Sequence, residues 1–305
     1  MKPIRTIGIL GAGAMGAFFA ESFAKVSSFS TFLIADGRRV DRLQKDGVVI
    51  NGKQYFFKVL RPGRAEIKLD LILVALKHPQ LKEALAGLGS MVGENTLFVS
   101  VMNGLESEEI IASVYGSEKV LYAISVGIDA VREGNQITYT KPGRHIFGEA
   151  NNSTLSEKVL RIQEAFSTAG IQFETPVDML RMLWWKFMVN VGVNQASAVL
   201  RAPYGVFHND PDAQALMEAL MREVVILAQA SKVDLSEKDI RDWYPVLRSL
   251  SPTGKTSMLQ DVEAGRKTEV DVFGGKVIEL GRSLGIPTPV NQTIVQIIKV
   301  NERPL

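Results

Sequence analysis

The sequence predicts an α/β domain built on a doubly wound parallel sheet, followed by an all-helical domain, and three observations carry that prediction. A glycine pattern, Gly11-x-Gly13-x-x-Gly16, joins a short β-branched run to an apolar helix near the N-terminus. Apolar strand-like runs then alternate with helical patterns as far as Pro176. From Asp178 onward almost every periodic stretch reads as helix. The boundary is therefore placed at 176, giving domains 1–176 and 177–305.

The first run, Ile4 to Leu10, is short enough for a buried parallel strand, and the helix after the glycines continues through Phe18, Phe19, Phe23 and Ala24. Each glycine has a separate reason: Gly11 for a tight turn, Gly13 to remove a side chain that would strike a pyrophosphate, and Gly16 to let helix and strand approach. Together with Ala12, Ala14 and Met15 they form a backbone cradle. Amides at the helix start offer it hydrogen bonds and a positive field, so the stretch predicts a Rossmann-type dinucleotide site.

A second strand, Thr31 to Ala35, ends at Asp36, twenty residues beyond Gly16. An acid there accepts from a free ribose 2′-OH and favours NAD, whereas Arg38, Arg39 and Arg42 just after it would pair with a 2′-phosphate and favour NADP. Both chemistries are present. A hairpin turned at Asn51-Gly52 is expected between Val48–Ile50 and Tyr55–Val59. Leu69 to Leu76 reads as a central strand covered on both faces and ends at Lys77; Asn95 to Met102 reads as the next and ends at Asn103-Gly104. Ligands on such sheets bind at these strand ends, which makes Lys77 and Asn103 candidates for contact with cofactor or substrate. Lys119 to Val126 is a further strand. Gly127–Arg132, Asn135–Thr140 and Arg144–Phe147 are expected to extend the sheet antiparallel, and a helix at Leu155–Ala169 and a strand at Ile171–Phe173 close the domain.

In the helical part, Leu180 to Leu200 is apolar over most of its circumference and belongs inside a domain. Lys186, Asn190 and Asn194 interrupt it at i, i+4 and i+8, so in an α-helix they form a polar stripe drifting ~40° per step. Buried groups of this kind need partners, either side chains or a polar ligand. A lysine in such a stripe can donate to a ketone oxygen, stabilise the alkoxide as hydride arrives and give up its proton. Helices are expected at Pro211–Ser231, at Ser236–Leu247 with Ser236 as N-cap, from Ser257, from Thr268-Glu269, and at Val290–Val300. Glu269 falls in a first turn, where capping is its plainest role. Thr253-Gly254-Lys255-Thr256 imitates a phosphate loop, but Ser249 stands where that motif needs glycine.

Composition narrows the function. The 305 residues are 46% hydrophobic, with 35 basic and 33 acidic side chains and a formal charge of +2, so no sign dominates and nucleic acid or a membrane surface is not indicated as a partner. There is no cysteine, and His78, His145 and His208 lie too far apart for a spaced metal motif, so no metal site is expected. No stretch is long and apolar enough to cross a bilayer, and a cytoplasmic location is expected.

Taken together, Gly11-Ala-Gly-Ala-Met-Gly16, the strand ending at Lys77, Asn103-Gly104, Trp185-Lys186-Phe-Met-Val-Asn190-Val-Gly-Val-Asn194, Ser257-Met-Leu-Gln-Asp261 and Thr268-Glu269-Val-Asp271 ahead of a glycine pair resemble the ketopantoate reductase (2-dehydropantoate 2-reductase) family over nearly the whole chain. The resemblance implies a Rossmann-type domain and an all-α C-terminal domain like that of 6-phosphogluconate dehydrogenases. It implies NADPH-dependent reduction of 2-dehydropantoate to (R)-pantoate in pantothenate biosynthesis. It casts Lys186 as proton donor and Glu269 as its support, with Asn190, Asn194, Ser257 and Asn103 holding substrate. Lys77 and Asn103 would lie by the cofactor. Members often carry arginine where this chain has Asp36, so NAD stays open beside NADP. Lys186, Glu269 and the strand ends at Lys77 and Asn103 are expected to line one cleft. A dehydrogenase of another small 2-oxo or hydroxy acid is the alternative, and a non-catalytic dinucleotide sensor a more distant one. Monomer and homodimer are both compatible with the sequence.

Overall fold

In a computed structural model, which describes residues 2–128 and 130–302, the strand ahead of the glycines is β1 (Thr6–Leu10). It pairs in parallel with β2 (Ser30–Ile34) on one side and β6 (Leu69–Val74) on the other. Outward from these lie β5 (Lys58–Leu60) beyond β2, and β7 (Val92–Ser100), β8 (Val120–Ile128), β11 (Pro142–Gly148) and β12 (Phe173–Glu174) beyond β6. The order is β12-β11-β8-β7-β6-β1-β2-β5, with β11 antiparallel to β8.

The continuous apolar runs are explained by burial on both faces. Ile7, Ile9, Leu71 and Leu73 point to one face, where α1 (Ala14–Ala24) and α5 (Glu157–Thr168) bring Phe18, Phe19, Phe23, Ile162 and Phe166. Leu10, Ile72 and Val74 point to the other, against Leu81 and Leu85 of α3 (Leu81–Ala86) and Ile111 of α4 (Ser107–Tyr115). Each fully buried phenylalanine contributes about 1.5–3 kcal/mol, so the α1 face is a main source of stability. Asp70, an acid inside the β6 run, is satisfied at the N-terminal ends of the central strands: its Oδ2 accepts from the amides of Arg5 and Thr6 at 2.9 Å.

Two expected pairings divide differently from the sequence reading. Tyr55–Val59 is not one hairpin arm: β3 (Val48–Ile50) pairs with β4 (Lys53–Tyr55), and the chain then leaves at Phe56-Phe57 so that β5 joins the main sheet beside β2. Likewise only β11 extends the main sheet. β9 (Val131–Glu133) and β10 (Gln136–Thr138) form a hairpin that joins β3 and β4 in a separate sheet of order β4-β3-β10-β9. Glu21 of α1 fastens this small sheet, because its buried carboxylate accepts from the Tyr55 hydroxyl at 2.7 Å and the Tyr139 hydroxyl at 2.5 Å. Period-two alternation marks strands but does not say which sheet they enter.

The chain divides into two units, Met1–Leu180 and Arg181–Leu305. In the second, α6 (Met179–Val189) runs into a π turn at Asn190–Asn194 and on into α7 (Gln195–Leu200). There follow α8 (Tyr204–Asn209), α9 (Pro211–Ala230), α10 (Glu237–Ser249), α11 (Ser257–Glu263), a second π turn at Asp271–Gly275 leading into α12 (Lys276–Leu284), and α13 (Pro289–Asn301). Ser236 caps α10 in a reciprocal capping box with Asp239. Glu223 of α9 caps α13 by accepting from the amides of Val290 and Asn291 at 2.8 and 3.0 Å. Among the described residues no helix is long and apolar enough to cross a membrane.

Candidate active site

The three glycines differ in what surrounds them. Gly11 has φ +108°, and a Cβ there would stand 2.4 Å from the Ala75 carbonyl oxygen. At Gly16 a Cβ would stand 1.8 Å from the Gly11 carbonyl oxygen. Both positions are closed by the fold itself. At Gly13 an added Cβ meets nothing within 4 Å, so the fold does not require glycine there. Gly13 is the N-cap of α1 and makes no side-chain cap, leaving the first turn through Ala14 and Met15 to present its amides to that open space. A pyrophosphate fits this cradle, with the helix end supplying donors and positive potential.

Around the cradle stand the other candidates of the first unit. Asp36, exposed after β2, accepts from the Gly37 amide through Oδ1 at 2.7 Å. Gly37 turns the chain with φ +53° into α2 (Arg38–Asp46), whose first residue, Arg38, is exposed. Lys77 is exposed just beyond β6, and Asn103 half-buried just beyond β7. The loops that carry them are joined by His78 and Glu106, with Nε2 and Oε2 3.1 Å apart. Sequence reasoning missed this pairing because the partners stand 28 residues apart on different loops.

It also missed Arg132. From β9 this side chain donates through Nη1 to the Ala12 carbonyl and through Nε to the Gly134 carbonyl, both at 2.9 Å. A residue 120 positions away thus reaches the glycine loop, and no local spacing could signal it. Burial, and then the like charges of Arg42 and Arg39, hold its guanidinium below the ordinary arginine value.

In the second unit, Lys186, Asn190 and Asn194 lie on one continuous helix, but not with the expected drift. An α-helix would leave Lys186 and Asn194 about 80° apart; the π turn absorbs one residue, which brings the offset to about 20° in the other sense. Asn194 is buried and donates through Nδ2 to the Asn190 Oδ1 at 3.3 Å, while Lys186 and Asn190 are half-buried. The turn is held from two sides. Gln195 donates through Nε2 to the Val191 carbonyl at 2.9 Å, and Gly192 admits α9 so closely that a Cβ would lie 2.5 Å from the Met221 Cγ.

The other candidates arrive on segments packed against this turn. The second π turn begins two residues after half-buried Glu269 and lies on the first. The Glu269 backbone carbonyl accepts from the amides of Val272 and Phe273 at 2.9 and 3.2 Å, so the main chain opens that helix. Ser257, exposed, is the first residue of α11, which packs on α7 and on the π turn. Thr256 beside it caps α11 by accepting from the Leu259 amide at 3.1 Å and donates to the Ser197 Oγ at 3.2 Å. A cation, two carboxamides, a hydroxyl and a carboxylate are thereby carried on neighbouring backbone segments.

Comparison with known proteins gives the family and the fold. Residues 7–152 match the model of the family "Ketopantoate reductase PanE/ApbA", and residues 178–302 match its C-terminal counterpart. The 2-dehydropantoate 2-reductase of Aquifex aeolicus is 24% identical over 96% of each chain, and that of Pyrococcus horikoshii is 26% identical over 97% of each. Among solved structures, a D-mandelate dehydrogenase with NADH and anilino(oxo)acetate superposes with a TM-score of 0.88 at 21% identity, covering 97% of this chain and 98% of the other. The 2-dehydropantoate 2-reductase of Geobacter metallireducens gives 0.85 at 22%, covering 97% of this chain and 99% of that one. With an α/β dinucleotide domain, a helical second unit and family matches spanning both, the chain belongs to the PanE/ApbA ketopantoate reductase family of NAD(P)-dependent oxidoreductases.

Proposed function

We propose that this chain reduces 2-dehydropantoate to (R)-pantoate with NADPH. The observation that carries the reading is the set of polar groups on and against one π turn, Lys186, Asn190, Asn194, Ser257 and Glu269, in a chain whose family matches cover both units. Gly11 to Gly16, Asp36, Arg38, Lys77 and Asn103 would hold the dinucleotide. When bound, it supplies a hydride to the ketone carbon. Lys186 holds a proton at Nζ, donates a hydrogen bond to the ketone oxygen as negative charge grows there, and transfers the proton to complete the hydroxyl; water returns one to the amine. Glu269 supports the ammonium form of Lys186, and Asn190, Asn194, Ser257 and Asn103 orient the remaining substrate oxygens.

Asp36 favours a second reading, an NADH-dependent dehydrogenase of a different 2-hydroxy acid, and the D-mandelate dehydrogenase that shares this fold was solved with NADH. Initial rates with 2-dehydropantoate and with phenylglyoxylate, each with NADPH and NADH, separate the two. The first reading expects 2-dehydropantoate with NADPH to give the highest kcat/KM. A higher value for phenylglyoxylate with NADH would replace it with the second, and turnover in none of the four would remove both.

A further inference from the structure

Among the described residues, the first unit holds a group of arginines that no ion-paired carboxylate neutralises. Arg39 and Arg42 lie on α2, and Arg132 comes from β9, whose sheet partner β10 pairs with β3, the strand directly after α2. The hairpin is pinned in place: the Val49 amide donates to the Asn135 carbonyl at 3.0 Å, the Asn51 amide to the Ile137 carbonyl at 2.9 Å, and the Tyr139 hydroxyl to Glu21 on α1. Arg132 spends its Nε hydrogen and one Nη1 hydrogen on backbone carbonyls, which leaves three N–H donors of its fork. Nearby acids are engaged elsewhere: Asp36 accepts from the Gly37 amide, and Asp41 faces Arg61 at 3.4 Å. Among the described residues no carboxylate lies within ion-pair distance of Arg39, Arg42 or Arg132, although exposed Glu133 follows Arg132 in sequence. Arg132 beside the glycine loop, and Arg39 and Arg42 on the helix that leads directly into its sheet, with no ion-paired carboxylate among the described residues, form a site for a doubly charged oxyanion.

We propose that Arg132, with Arg39 and Arg42, binds the adenosine 2′-phosphate of NADPH, so that cofactor preference is set from the β9–β10 hairpin and α2 rather than from the end of β2. The assignment rests on the reading that the protein uses NADPH. It explains how a chain with Asp36 at the strand end can still accept a phosphorylated ribose. The Asp36 carboxylate is turned to its own backbone, and the charge that meets the phosphate comes from two other segments.

The test is calorimetric titration of NADPH, NADH and adenosine 2′,5′-bisphosphate against the unmodified chain, Arg132→Ala and Arg42→Ala. Arg132→Ala should weaken NADPH and the bisphosphate about 10- to 100-fold, the range of a charge-assisted bidentate contact, and leave NADH within about threefold. Arg42→Ala, on α2, should give a smaller loss of the same selectivity. Equal weakening of NADPH and NADH by Arg132→Ala would overturn the assignment, because the side chain would then serve the pyrophosphate or the loop itself. Unchanged affinities would overturn it too. If the unmodified chain prefers NADH, the NADPH reading fails; the arginine site then stands only if the bisphosphate still binds and loses affinity in both variants, and falls if it does not.

Discussion

Substituting alanine separately at Gly13 and Gly16 distinguishes a glycine that a ligand needs from one that the fold needs. At Gly16 the new Cβ would stand 1.8 Å from the Gly11 carbonyl oxygen, about 1.2 Å inside the closest approach real Cβ atoms make. The obstacle is backbone in a turn already fixed by Gly11 at φ +108°, so relief requires β1 and α1 to separate. Overpacking costs about 1–3 kcal/mol, and a rigid obstacle puts this site near ~3 kcal/mol. For a unit of this size that is a fall in Tm of roughly 6–12 °C. At Gly13 there is open space, and φ −76° suits alanine. Loss of a glycine N-cap costs a few tenths to about 1 kcal/mol, and the stiffer unfolded chain returns about 0.4–1 kcal/mol, so Tm should move by less than roughly 4 °C. The methyl group would instead occupy the cradle. NADPH affinity should fall about 10- to 100-fold, equivalent to about 1.4–2.8 kcal/mol. Melting followed by circular dichroism and titration by nucleotide fluorescence measure both effects on the same samples. A Gly13→Ala protein that binds NADPH like its parent, or a Gly16→Ala protein that melts within about 2 °C of it, would refute the reasoning.

The remaining predictions concern chemistry and pH. Lys186→Ala should lower single-turnover reduction of 2-dehydropantoate by a factor on the order of 10² to 10⁴ with dinucleotide affinity nearly intact; a parental rate in the folded variant would make Lys186 a structural residue only. Glu269→Ala should impair the same step, and the double variant should lose less than the product of the two single losses if the pair acts as a unit. Burial, and then its hydrogen bond to Glu21, pushes Tyr55 from 10.0 up to about 12. Its contribution to stability is therefore full below pH 10.0 and lost as pH rises through about 12. Glu21 shifts the other way: burial alone would raise it, but hydrogen bonds from Tyr139, Lys25 and Tyr55 hold it below 4.5, so its contribution is full above that value and lost as pH falls through its lower folded value. Across pH 9 to 12.5, Tyr55→Phe should flatten the alkaline fall in Tm; curves parallel to the parent's would exclude that role.

Much of the first unit was legible because its signals are local. The run before Gly11, the double-faced apolar pattern of β6 and the strand ends at Lys77 and Asn103 can each be read within a dozen residues or so. What escaped depends on partners far apart in sequence. Nothing in Val131-Arg-Glu or Gln136-Ile-Thr says that they pair with β3 instead of continuing from β8, and Arg132 reaches Ala12 only because they do. The stripe on the Lys186 helix was visible as composition and spacing. Its true phase was not, since a π turn is selected by what fits around it, here Gly192 against Met221 and Gln195 bonding back to Val191. The short helices α4 and α8 carry patterns too brief to stand out from the neighbouring loops.

The π turn at Asn190–Asn194 also bears on how this helix can change length. Such a turn houses one residue more than the α-helical path between the same end points, so the turns before and after it keep the faces they would have without it. Deleting one of these five residues would straighten the helix locally instead of rotating Met179–Val189 against Gln195–Leu200 by the ~100° that a deletion in regular helix imposes. The outer packing is thus insulated from a single insertion or deletion at this place. A lineage can acquire or discard the extra residue here while Lys186 and Asn194 keep their relative faces and α9 and the rest of the helical core stay as they are.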